Sequence, residues 1–120
     1  MRLKLWLIQY IFASFFQKQD INEWQIYLDN DYSEFVKYIQ FWNKDNIDNI
    51  INKYKKTSSV DCFIHAVLQS ALLEMTYNIH NSIDINKKQI VSDYIYIARG
   101  CNLNSNIIYG ILIDFVKNTI

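Results

Sequence analysis

Ala66-Val67-Leu68-Gln69-Ser70-Ala71-Leu72-Leu73-Glu74-Met75 is the stretch on which the fold of this chain turns. With Ile64 ahead of it, the apolar positions Ile64, Val67, Leu68, Ala71, Leu72 and Met75 recur at spacings of three and four, the signature of one helical face. The spacing predicts a long helix entered through Ser58 as N-cap, with Asp61 three residues on in a capping-box arrangement. Upstream, Lys55-Lys56-Thr57-Ser58 reads as a hinge. Beyond the hinge, Ile47, Ile50, Ile51 and Tyr54 predict a helix entered through Asn43 to Asp45. Phe35, Ile39 and Trp42 predict another, starting near Tyr32 after Asp29-Asn30-Asp31. Ile21, Trp24 and Leu28 predict a short one capped by Asp20.

Downstream of Met75, the polar connection Asn78 to Asn86 precedes a helix carrying Ile90, Val91, Tyr94, Ile95 and Ala98. That helix is expected to stop at Gly100 in the left-handed conformation. Ser105 is then expected to cap a last helix carrying Ile108, Ile111, Leu112, Phe115 and Val116. Gly110 interrupts it, and such a glycine marks a close approach of another backbone. The reading is an all-α fold of about seven helices in one domain, residues 1–120, divided into sub-bundles at about 1–56 and 57–120.

Composition agrees with helices. Proline is absent and there are 2 glycines, too few for the turns of a sandwich or barrel. The 120 residues are 51% hydrophobic and 20% charged, which fits one core and excludes a disordered tail. The 20 isoleucines belong to a biased composition that weakens strand propensity as a guide, so periodicity decides.

The first residues admit two readings. Leu5 to Phe16 is an apolar run behind a basic start, the pattern of a signal peptide. Gln9 and Tyr10 interrupt it, no small-x-small site follows, and it is too short to span a bilayer. A core helix with Leu5, Ile8, Phe12 and Phe15 on its face, widened by Leu7 and Ile11, is the preferred reading.

Catalytic and metal chemistry finds little support. Cys62 and His65 stand three apart on one helix, but no second pair completes four zinc ligands, and Cys101 and His80 are isolated. A buried cysteine and a surface histidine explain them. As a nucleophile pair Cys62 and His65 lack a third orienting group, Asp29 and Asp31 read as a solvated turn and not an acid-base pair, and 2 glycines cannot form a phosphate-cradling loop. Neither enzyme activity nor a metal or cofactor is expected. Charge is more informative. Net charge is +0 overall, which excludes a wholly basic nucleic-acid coat protein. Residues 1–19 nonetheless carry +3 and no acid, whereas residues 20–50 carry −5. Cations beside Trp6, Tyr10 and Phe12 suit a nucleic-acid backbone with unpaired bases; a solvated helix end is the plainer alternative.

Ordered along the chain, several segments resemble the NusB family of bacterial transcription antitermination factors. Arg2-Leu3-Lys4 followed by Ile8-Gln9-Tyr10-Ile11-Phe12 resembles the family's basic-x-basic opening and its Val/Leu-Gln-Ala-Leu-Tyr core. Asp20-Ile21 matches a family Asp-Ile, and Asn46 to Ile51 resembles its helix with a central Asp. Ala66 to Met75 is the strongest match, resembling Ala-Ile-Leu-Arg-x-Ala-x-Tyr-Glu-Leu. Ile90-Val91-Ser92-Asp93 with Ile97-Ala98-Arg99, and Ile107-Ile108-Tyr109-Gly110-Ile111-Leu112, follow the family's last two helices.

The resemblance implies a cytoplasmic, RNA-binding, all-helical protein of two sub-bundles without catalysis. It implies binding of the single-stranded boxA element of nascent, chiefly ribosomal, RNA together with the ribosomal protein NusE, and through that complex an indirect effect on elongating RNA polymerase. It implies no membrane partner, and a monomer or a homodimer. Carried over by position, Arg2 and Lys4 contact phosphates, Ile107 and Tyr109 lie near the RNA, and Phe12 and Glu74 lie on or near the partner face. Departures are the short basic opening, Gln69 for the core arginine, Tyr109 for asparagine and Ile107 for an aromatic residue. Fewer phosphate contacts mean less salt-dependent affinity. The alternative is a helical protein-interaction module that has lost most RNA binding.

Overall fold

A computed structural model describes residues 1–56 and 60–119, and among these the secondary structure is helical throughout, without a strand. The decisive helix, α5, runs over Cys62–His80. Its N-cap is Asp61, whose Oδ1 accepts from the N–H groups of Phe63 at 2.7 Å and Ile64 at 3.0 Å. The aspartate thus replaces the expected Ser58, which, with the Thr57-Ser58 part of the hinge, lies outside the described residues. Helix α5 is also less one-sided than its pattern. Every residue from Ala66 to Met75 is buried, Gln69, Ser70 and Glu74 included. A helix enclosed on all sides is a central rod.

The remaining helices wrap it. Helix α1 covers Arg2–Ser14 and buries Leu7, Ile8, Tyr10 and Ile11 against α5 and α3. Its face is rotated from the expected one. Leu5 is exposed, and Phe12 and Phe15 are half-buried at the edge, where they pack on Phe63 and His65. Asp20 caps the next segment as expected, accepting from the Asn22 N–H at 3.0 Å. There a full helix does not form. A 3-10 turn, Ile21–Trp24, leads into the single turn α2, Gln25–Leu28, and a second 3-10 turn, Asp29–Asp31, follows. The break sits at Asp29, whose φ of 47° leaves the right-handed region. Among the described residues six helices of ten or more residues therefore form, one fewer than the sequence suggested.

Helix α3 spans Tyr32–Phe41 and α4 spans Lys44–Tyr54, the latter capped by Asn43. Helix α6, Lys87–Gly100, packs on α5 and on α7, Ser105–Asn118. The cap of α7 is Asn104, one residue ahead of the expected Ser105, and its Oδ1 accepts from the Asn106 N–H. Gly100 remains within α6. The left-handed position is Asn102, with φ 58°, and the Leu103 N–H closes the turn on the Ala98 carbonyl at 2.9 Å. Ser82, φ 55°, ends α5 in the same way, with the Ile83 N–H donating to the Asn78 carbonyl. Gly110 is no crossing point either. A Cβ placed there would meet nothing within 4 Å, so the glycine leaves a notch.

Because α1, α3, α4, α6 and α7 all contact α5, the two halves of the chain share one core through it. No helix among the described residues is long and apolar enough to cross a membrane.

Candidate nucleic-acid and partner interface

At the start of α1, the two basic residues have different surroundings. Lys4 turns inward. Its Nζ donates to both oxygens of the Glu74 carboxylate, at 2.8 and 3.0 Å, and lies 5.4 Å from the centre of the Tyr94 ring. The two charged side chains are 14% and 7% exposed. Asn78 closes the far side, donating from Nδ2 to the Glu74 carbonyl at 2.6 Å. Tyr94 is wholly buried, and its hydroxyl has no hydrogen-bond partner among the described residues. Burial, reinforced by the negative Glu74, pushes its phenol well above the ordinary 10.0. Burial also raises the phenol of Tyr38. Arg2 stays at the surface, donating to the Tyr27 carbonyl at 2.7 Å.

The candidate partner residues Phe12 and Glu74 lie at opposite ends of the α1–α5 contact. Phe12 is half-buried between Phe16 and Phe63, each ring 5.2 Å away. Glu74 is covered by Lys4. The candidate RNA residues on α7 face two hollows. Ile107 lines the notch of about 230 Å³ beside Gly110, with Tyr54, Lys56 and Asn106 around it. Tyr109 is 50% exposed and lines a larger groove, about 650 Å³, between α6 and α7. The structure thus sets Arg2 and Tyr109 at the surface, Ile107 in a notch and Lys4 in an ion pair.

Two features escape the sequence reading. The α6/α7 groove has an apolar floor of Val91, Ile95 and Val116 and a rim holding Lys88, Arg99 and Lys117, with no acid in its lining among the described residues. Lys88, Ser92 and Arg99 stand at i, i+4 and i+11 of α6, a stripe that helical spacing alone would have exposed. The second is a polar cluster joining α4 and α5. Gln69 donates from Nε2 to Asp48 Oδ1 at 2.8 Å and to the Lys44 carbonyl at 3.2 Å, and accepts from Trp42 Nε1 at 2.8 Å. His65 Nε2 meets the same Asp48 oxygen, and Lys44 Nζ bonds its other oxygen at 2.8 Å. Burial pushes the Asp48 carboxyl up, but Lys44 and His65 outweigh it and hold the group below its usual range. His65 is therefore a hydrogen-bond partner of Asp48, stacked on Phe15 at 4.9 Å.

Cys62 is exposed, not buried as expected, and so is Cys101. Among the described residues no three His, Cys, Asp or Glu side chains converge as metal ligands. Compared with known proteins, the chain matches no family model, no curated protein and no solved structure.

Proposed function

We propose that this chain is an RNA-binding transcription antitermination factor resembling NusB, engaging boxA-type nascent RNA together with a NusE-type ribosomal protein. The observation that carries the reading is where the resembling segments fall. All but Asp20-Ile21 occupy, in chain order, α1, α4, α5, α6 and α7, and the other four helices pack on the central rod α5, the segment with the strongest resemblance. Exposed Arg2 supports a phosphate contact at the head of α1, and half-exposed Tyr109 supplies a face for an unpaired base. Lys4 contributes by fixing α1 to α5 through Glu74, so one fewer cation reaches the RNA.

Fluorescence anisotropy with a labelled boxA-type RNA, with and without the NusE-type protein, tests the proposal. Expected are sequence preference, tighter binding with the partner and weakening with salt. Absence of sequence preference under both conditions would overturn it. A protein-interaction module with little RNA binding is the second reading, favoured by the closed Lys4–Glu74 pair. It predicts that Arg2→Ala leaves partner capture unchanged while no RNA complex forms with either protein. Arg2→Ala is the proper probe for both readings, because Lys4→Ala also strips a buried carboxylate of its partner.

A further inference from the structure

We propose that this chain binds a second copy of itself, with the acidic knob around Ile26 of one copy seated in the α6/α7 groove of the other.

The groove asks for an occupant with two properties. Its floor of Val91, Ile95 and Val116 suits an apolar tip, and Lys88, Arg99 and Lys117 around it suit acids beside that tip. Among the described residues none of these three cations forms an ion pair.

The chain carries such a piece itself. Ile26 is 80% exposed, and that exposure is built in. The turn α2 is pinned from below: Leu28 enters the core, the Tyr27 ring stacks on Trp6 at 5.3 Å, and Arg2 holds the Tyr27 carbonyl. With Leu28 buried and the half-exposed Tyr27 stacked on Trp6, the turn is tied down on both residues that follow Ile26, which lowers the ordering cost of binding. Within five residues of Ile26 along the chain lie Glu23, Asp29 and Asp31, and no basic residue occurs between Lys18 and Lys37. None of these acids is in an ion pair among the described residues. An exposed isoleucine alone needs no explanation. An exposed isoleucine in an acidic segment and an aliphatic groove rimmed by cations make a complementary pair of surfaces.

The two surfaces belong to different elements. Helix α2 packs on its flanking turns and α3, while α6 and α7 pack on each other and α5. The knob of one copy therefore meets a different surface of the other. Exchanged reciprocally about a two-fold axis, two such contacts close an isologous dimer; a single head-to-tail contact is heterologous and leaves a free knob and a free groove for further copies. A single-stranded RNA would use the same three cations, but it gives the aliphatic floor and Ile26 no role.

Sedimentation velocity on the full chain over a wide concentration range tests the proposal, at about 0.05 M and about 0.5 M sodium chloride. Expected is a dimer or larger species that grows with concentration and weakens about tenfold at the higher salt. Ile26→Glu, and separately the pair Lys88→Glu with Lys117→Glu, should abolish it without moving the thermal melt, since all three side chains are exposed. Adding Glu23→Lys and Asp31→Lys to the lysine pair should restore it. A monomer at every concentration overturns the proposal, as does association indifferent to these changes. Loss of RNA binding by the lysine pair in a chain that stays monomeric overturns it too, and assigns the groove to RNA.

Discussion

Glu74 and Gln69 sit five residues apart on α5, both fully enclosed in the helix's surroundings, yet they solve the burial of a polar group in opposite ways. Glu74 carries a charge and meets one opposite charge, Lys4, in a site roofed by the Tyr94 ring. Gln69 is neutral and its amide is shared among Trp42, Asp48 and the Lys44 carbonyl. In that second cluster Asp48 and His65 are about a quarter exposed and Lys44 nearly half, so they keep access to water. A shut site makes its charges depend on each other; an open one lets either partner be lost to solvent. The two clusters should therefore fail very differently.

The largest effect is expected from Lys4→Ala. It leaves the Glu74 carboxylate buried without a counter-charge, a loss of about 3–5 kcal/mol in denaturant unfolding. Replacing both residues by methionine should recover most of it, because the desolvated pair adds little over apolar packing. A single-variant loss below about 1 kcal/mol would show that water reaches the site and the contrast is false. Next comes Trp42→Phe, which removes the indole N–H from Gln69 Oε1 and should cost about 1–2 kcal/mol in the same assay.

Asp48→Asn should cost about 1 kcal/mol at neutral pH, since solvent screens the Lys44 and His65 contacts. Its pH signature is more telling. Asp48 is held below the ordinary carboxylate value, so its stabilisation is complete above 3.8 and is lost as pH falls below that. The variant should show a shallower acid limb than the parent in stability measured against pH. The smallest change belongs to Tyr94→Phe. Removing a buried hydroxyl that has no partner should leave stability unchanged or raise it by about 1 kcal/mol, read as a shift of the thermal midpoint. A marked loss would mean that the hydroxyl anchors the Lys4–Glu74 site.

What the sequence announced and what it concealed follow the same division. The stripe Ile64, Val67, Leu68, Ala71, Leu72, Met75 announced α5, because helical periodicity is a local property. That Gln69 and Glu74 would be buried was concealed, since their partners Asp48 and Lys4 lie 21 and 70 residues away. Asp20, Asn43 and their turns were legible because a cap involves neighbours only. Reading Gly100 and Gly110 as conformational signals failed. Asn102 and Ser82 took the left-handed positions instead, and space, not crowding, surrounds Gly110. The groove was hidden by arithmetic. Lys88, Arg99 and Lys117 belong to a region of net −1, and only the packing of α6 on α7 gathers them on one rim. Arg2, Lys4, Ile107 and Tyr109 were named by position in a resemblance, which does not reveal which way each side chain turns.

The shared rod has a consequence for the order in which the protein is made. Residues 1–56 leave the ribosome first, with Leu7, Ile8, Ile11, Phe35, Ile47 and Ile51 all shaped to lie on a helix not yet translated. Until α5 emerges, that half has only its own small contacts to close over, so its maturation during synthesis must wait for the rod that completes its core.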